Sequence, residues 1–192
     1  MGAFVIGIGG GSASGKSTLA AGLQARLAPH PVEIINQDRY FFPADRLPKH
    51  ASPDGGREWP DYNQPGTVDW PRLRTDLRAA REGEAEIVLL EGILVLYDAE
   101  LRELMDLRLF VAAEPDERIL RRLRRNLARG GNLDDICDYY LDSVRFRHRE
   151  FCEPTRAHAD VVIPGGTYEA EARETALREV EAKVRDRLAG RG

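Results

Sequence analysis

Lys16, Ser17 and Thr18 close a run that is almost bare of side chains, Gly7-Ile8-Gly9-Gly10-Gly11-Ser12-Ala13-Ser14-Gly15. The spacing Gly10-x-x-x-x-Gly15-Lys16-Ser17 is that of a phosphate-binding loop. Glycines let consecutive backbone N–H groups converge on phosphate oxygens, and a helix opening near Lys16 adds the positive end of its dipole. In that pattern Lys16 reaches the β- and γ-phosphates of a triphosphate and the Ser17 hydroxyl ligates Mg²⁺, within a cradle made by residues 10–18. Two other uses stay open. A glycine-rich turn can simply let a helix pack on a strand, and Asp38 keeps a dinucleotide-binding turn in view, although such turns need no Lys-Ser at their end.

Two carboxylates follow apolar runs that read as strands: Asp38 after Ile34-Ile35-Asn36, and Glu91 after Leu89-Leu90. Ligands of open parallel sheets sit beyond the carboxyl ends of the strands. Beside a phosphate chain a carboxylate needs a cation to hold or a proton to accept. Glu91 therefore reads as a Mg²⁺ ligand, direct or through water, and Asp38 as the base that orients and deprotonates an attacking hydroxyl. Alone, each could equally be a solvated strand-end acid. A third feature is the arginine-rich run 118–129. On a helix Arg118, Arg122, Arg125 and Arg129 share one face, with Ile119, Leu123 and Leu127 beside it. That face either meets an anion, as a lid hinged at Gly130-Gly131 would, or is a solvated face of an arginine-rich chain.

Such residues need elements to position them. Apolar runs at 3–8, 32–36, 87–90, 107–111 and 161–163 read as buried strands. Leu19, Leu23 and Leu27 recur at helical spacing after the glycines, and helical patterns fill 69–81, 114–129, 133–152 and 168–188. Alternating strands and helices predict an α/β fold with a parallel sheet covered on both sides. The interval 43–60, with Pro43, Pro48, Pro53, Pro60 and Gly55-Gly56 among charges, reads as a long substrate-side loop.

The length of 192 residues suits a single domain, 1–192. A net charge of −4 argues against non-specific nucleic-acid binding. Cys137 and Cys152 are too few for a disulfide framework and too far apart for a metal motif. No apolar run reaches membrane-span length, and Ile6 stands where a myristoylation signal wants Ser or Thr, so the expected location is the cytoplasm. The oligomeric state is not legible, and a homo-oligomer stays open.

With these residues quoted, the chain resembles the uridine-cytidine kinase branch of the phosphoribulokinase and uridine kinase family. The resemblance runs through IGIGGGSASGKST, NQDRYF, DYNQPGTVDW, VLLEGILVLYDAELRELMDLRLFVAAEPDERILRRL and FCEPTRAHADVVIPGG. It implies a P-loop NTPase-type three-layer sandwich with a five-stranded parallel sheet, a helical lid at about 118–135, and phosphoryl transfer from ATP to a nucleoside 5′-hydroxyl. By matching positions it gives Asp38 the role of base, Glu91 that of metal-site acid, Arg122, Arg125 and Arg129 those of lid arginines, and Pro164-Gly165-Gly166 that of the loop flanking adenine. Asn63 stands where the family has a ribose-binding aspartate. Gly131 stands where it has a lid arginine. The interval 71–86 is too short for the family's pyrimidine-reading hairpin, which brings nicotinamide riboside kinases, other small-alcohol kinases and a nucleotide-binding regulator into view. Tyr40, Phe41, Trp59 and Tyr62 are aromatic candidates for an acceptor ring. Against a GTPase, neither Lys49 nor Lys183 belongs to an Asn-Lys-x-Asp motif.

Overall fold

The computed structural model describes residues 2–52 and 55–190. Five apolar runs pair as one parallel sheet: β1 (Phe4–Gly10), β2 (Val32–Asn36), β5 (Ile87–Glu91), β6 (Leu107–Ala112) and β7 (Val161–Pro164), in the order β2-β5-β1-β6-β7. Strands buried on both faces carry no polar alternation, and all seven residues of β1 are buried. Val5 and Val88 face one layer, which holds Leu73, Leu77 and Ala80 of α2 (Trp70–Glu82). Ile6, Ile8 and Leu89 face the other, with Leu19 and Leu23 of α1 (Lys16–Arg26) and Leu177, Val180 and Val184 of α7 (Ala170–Ala189). These are three layers, helix on sheet on helix.

The register aligns the carboxyl ends that matter. Ile8 pairs with Glu91, Asn36 with Glu91, and Gly10 with Val111. The glycine loop, Glu91 and the segment after Asn36 thus emerge side by side at one edge of the sheet.

Three segments differ from the sequence reading. The interval 43–60 is not a plain loop: β3 (Lys49–Ala51) and β4 (Glu58–Pro60) form an antiparallel hairpin with His50 opposite Trp59. Its strands are three residues each and mostly exposed, so they carry too little apolar pattern to be read. Pro53 lies outside the described residues. The helix expected over 133–152 begins as α5 (Leu133–Tyr139), capped by Asn132, and continues through π-turns at Tyr140–Val144 and His148–Cys152 around α6 (Arg145–Arg147). A short helix, α3 (Ala99–Glu103), was not anticipated; Asp98 caps it by accepting from the Leu101 N–H. The arginine-rich helix is α4 (Pro115–Leu127).

Candidate active site

The loop between β1 and α1 is held in left-handed backbone at three points: Gly10 at φ 137°, Ala13 at 64° and Gly15 at 106°. A side chain at Gly10 would also meet the Val111 carbonyl oxygen at 2.6 Å, so only glycine fits there. Ala13 lacks that freedom, and its conformation is strain of the kind found at ligand sites. Lys16 lies 7 % exposed with Nζ donating to the Gly11 carbonyl at 2.9 Å. Burial holds its pKa below the ordinary lysine value, against the pull of nearby Glu91 and Asp38.

A cleft of about 420 Å³ opens over this loop, lined by Ser12, Ala13, Gly15, Lys16, Ser17 and Thr18 of the predicted cradle together with Asp38, Glu91, Arg121, Arg125 and Arg129. Gly10 and Gly11 support the loop from behind, and the Ser14 side chain is buried beneath it. Glu91, 4 % exposed, accepts at one oxygen, Oε1, from the Ser17 hydroxyl at 2.8 Å and from Asn36 Nδ2 at 2.6 Å. A buried carboxylate held only by neutral donors is costly, and its Oε2 is unused by any described residue. Among the described residues no cluster of three or more His, Cys, Asp or Glu side chains forms a metal cage. Two hard oxygens beside a phosphate cradle nevertheless fit Mg²⁺, which takes few protein ligands and fills its shell with water and phosphate.

Next to the cradle a more apolar cavity of about 570 Å³ runs between Gly15, Thr18 and Leu19 on one side and Pro164, Gly165 and Thr167 on the other. Arg121 clasps its rim, donating to the Gly165 carbonyl at 2.9 Å and to the Thr167 hydroxyl at 3.2 Å. This brings Gly165 beside the phosphate cradle, where the resemblance expected a base-flanking loop.

On the other side of Asp38 lies a chamber of about 400 Å³ lined by Phe41, Tyr62, Asn63, Arg122, Asn126 and Tyr139, among others. The Phe41 and Tyr62 rings meet at 5.7 Å. Arg122 crosses from α4 to the loop, donating to the Ser12 hydroxyl at 3.0 Å with its guanidinium 5.6 Å from the Tyr139 ring centre. Its Nε is buried without a hydrogen-bond partner among the described residues, and burial lowers its pKa. Ser12, Asp38, Ile93, Arg125 and Arg129 line both this chamber and the phosphate cleft. That shared boundary carries one carboxylate and two guanidinium groups.

Two sequence expectations separate here. Arg118 does not join Arg122, Arg125 and Arg129: it is 5 % exposed, donates to the Ala113 carbonyl at 3.0 Å, and opens with His148 on a different cavity behind the loop. Arg121, which the i, i+3, i+4 pattern left out, takes a place in the phosphate cleft instead. Tyr40 is not brought to the chamber: it is 7 % exposed, and its hydroxyl bonds Asp76 at 3.0 Å. Burial and that carboxylate push its pKa up to about 12. Tyr139 was missed altogether, because nothing in its spacing distinguishes it from a helix-surface tyrosine.

The model of the phosphoribulokinase / uridine kinase family matches residues 62–170. A uridine kinase of Deinococcus deserti is 35% identical over 206 residues, covering 95% of each chain. The chain belongs to this family. A uridine kinase of Brevibacillus brevis is 34% identical over 85% of this chain and 86% of its own. Among solved structures, TT1252 from Thermus thermophilus superposes with a TM-score of 0.54 at 22% identity, covering 95% of this chain and 98% of its own. A candidate fructose transport system kinase from Silicibacter sp. TM1040 gives 0.64 at 20% identity, covering 85% and 90%. At such identities these two speak for the fold alone. As a family member the chain is a phosphotransferase that uses ATP and acts on a hydroxyl group. In this phosphoribulokinase / uridine kinase relative α2 runs unbroken from Trp70 to Glu82 and β5 starts at Ile87, so no base-reading hairpin stands between them.

Proposed function

We propose that this single-domain kinase transfers the γ-phosphoryl group of Mg·ATP to the 5′-hydroxyl of a ribonucleoside, with uridine and cytidine as the favoured acceptors, in the cytoplasm. The observation that carries the reading is the boundary common to the two chambers, where Asp38 faces Arg125 and Arg129. Phosphoryl transfer is mostly positioning and charge stabilisation, and its reacting atoms must lie where donor and acceptor spaces meet. Asp38 accepts the acceptor's hydroxyl proton. Lys16, Arg122, Arg125 and Arg129 spread the charge of the transferring group. Ser17 and Glu91 are the residues that would hold Mg²⁺, which when bound neutralises charge between the β- and γ-phosphates. Asn63 offers a hydrogen bond to a ribose hydroxyl. Curated relatives at this level of identity carry the name uridine kinase, which supports the acceptor class.

One observation favours a second acceptor within the same chemistry. The unbroken α2 leaves the acceptor wall to Phe41, Tyr62, Asn63, the arginine-rich helix α4 and Tyr139 of α5, a different set of residues from the missing hairpin. Nicotinamide riboside or another small alcohol would then fill the chamber. Purified protein with Mg·ATP and uridine, cytidine, nicotinamide riboside or pantothenate, analysed by product mass, decides between them. Uridine or cytidine monophosphate is the expected product. No phosphorylated product from any acceptor would overturn the kinase reading and favour a nucleotide-binding regulator.

A further inference from the structure

The phenol of Tyr139 makes three hydrogen bonds whose directions are forced. Its oxygen lies 3.0 Å from the Pro60 carbonyl, 3.3 Å from the Tyr62 N–H and 3.0 Å from Asn63 Nδ2. A carbonyl can only accept and a backbone N–H can only donate, so the phenol proton goes to Pro60 and one phenol lone pair goes to Tyr62. What remains is lone-pair capacity that residue 63 shares with the neighbouring Ser143 hydroxyl, itself directed to Asp61 Oδ1 at 3.4 Å, and that capacity can only accept. The group at position 63 nearest the phenol must therefore be a donor, an amide NH₂ and not a carboxylate oxygen. With Nδ2 committed, Asn63 Oδ1 takes no hydrogen bond from any described residue, on a side chain that lines the acceptor chamber beside Asp38.

We infer that Tyr139 is a positioning residue for the acceptor: it fixes the Asn63 amide so that Oδ1 receives a substrate O–H, and it makes asparagine the matched residue at position 63. The inference rests on the nucleoside-kinase reading for the identity of that O–H. The backbone of Asn63 is held independently. Its N–H donates to Asp61 Oδ1 at 2.9 Å, and the fully buried Asp61 is fixed in turn by Arg147 Nε at 2.7 Å and Gln64 Nε2 at 3.1 Å. The phenol fixes the rotation of the amide and, through Pro60 and Tyr62, also ties down the backbone beside it, which is why the cycle pairs its loss with a change at residue 63 itself. The Tyr139 ring is packed separately, 5.6 Å from Trp59, so removing the hydroxyl leaves the wall standing. An aspartate at position 63 would oppose a carboxylate oxygen to the phenol lone pair, or draw the phenol proton away from Pro60.

The test is a double-mutant cycle of Tyr139→Phe and Asn63→Asp on the full chain, with acceptor and ATP kinetics measured separately. Tyr139→Phe is expected to raise the acceptor KM about tenfold while the ATP KM stays within about twofold. Asn63→Asp is expected to cost far less in the Tyr139→Phe background than alone, a coupling of about tenfold in kcat/KM. Effects that multiply independently within about twofold would overturn the inference. A readout that needs no acceptor runs beside it: the Asn63 side-chain NH₂, assigned by its loss in Asn63→Asp, is slow to exchange in the wild type and fast in Tyr139→Phe. If that contrast holds but the wild type phosphorylates no nucleoside, the functional reading falls and the positioning role stands for another alcohol. If the amide exchanges equally fast in both, the positioning role falls whatever the acceptor.

Discussion

Arg125 lies on the boundary between the two chambers, where burial first and then the neighbouring Arg129 lower its pKa while Asp38 opposes them. Two like charges held close on an exposed helix face, with Asp38 the carboxylate that opposes them, favour a further anion, and under the proposed function the migrating phosphoryl group is one. Arg125→Ala is expected to lower kcat by about 10³ with a smaller change in the ATP KM, measured by steady-state kinetics. A kcat within about tenfold of wild type would remove Arg125 from the transfer step. Behind the loop, burial together with Arg118, Lys16 and Arg149 pushes the pKa of His148 down to about 4, outweighing Glu153 at 3.2 Å from Nε2. The folded protein thus keeps His148 neutral where the unfolded chain would protonate it. The associated stability is complete above about pH 6.5 and is lost as pH falls toward 4, at most about 3 kcal/mol. His148→Gln should flatten the pH dependence of the urea unfolding free energy across that window, and an unchanged slope would contradict the assignment. Asp38 and Glu91 were legible in the sequence because each stands at the carboxyl end of an apolar run that pairs into the sheet, although β2, read as buried, is an edge strand with only Ile35 buried. Arg118 and Arg121 were not, because one helical step of about 100° decides which guanidinium turns to the cleft and which behind the loop.

At the scale of elements, α1, α2 and α7 follow their apolar periodicity, and their buried leucines carry the packing. Leu77 of α2 is fully buried against the sheet, so Leu77→Ala is expected to cost about 2–5 kcal/mol, read by chemical denaturation. A loss below about 1 kcal/mol would mean that this layer can collapse around the gap. Besides the Tyr139–Pro60 hydrogen bond, the hairpin β3–β4 meets α5 through an ion-pair cluster and a ring contact of unequal strength. Arg57 reaches Asp135 and Asp138 with every partner about half exposed, a pairing worth little in water. Trp59 is half-buried, its ring 5.6 Å from Tyr139. Trp59→Ala should therefore raise the acceptor KM several-fold through Tyr139, whereas Arg57→Ala changes it by no more than about twofold. Equal effects would mean that the ion pairs, not the ring, hold the wall. The hairpin was illegible because its three-residue strands lie among prolines and glycines. The π-turns after α5 were illegible because a one-residue slip in hydrogen bonding leaves no mark in composition. The slip is nonetheless consequential: Ser143 and Arg147 reach Asp61 while His148 opens on the cavity behind the loop.

Over the carboxyl ends of one sheet the whole molecule sets the phosphate-loop cleft beside the chamber of Asn63 and Tyr139, which the proposed function makes the donor and acceptor halves. The fold and the lining of the phosphate-loop cleft were legible because the glycine loop, the apolar strands and the strand-end acids are local signals. The neighbouring chamber was much less so, since it is assembled from Phe41, Tyr62, Asn63, α4 and Tyr139, far apart in the chain. The two cavities meet at Asp38. Turnover of Asp38→Asn, measured with uridine beside the ATP dissociation constant, tests this most directly. The expected result is a fall of about 10² to 10⁴ in kcat with ATP binding unchanged; near-normal turnover in that variant would show that Asp38 is not the base.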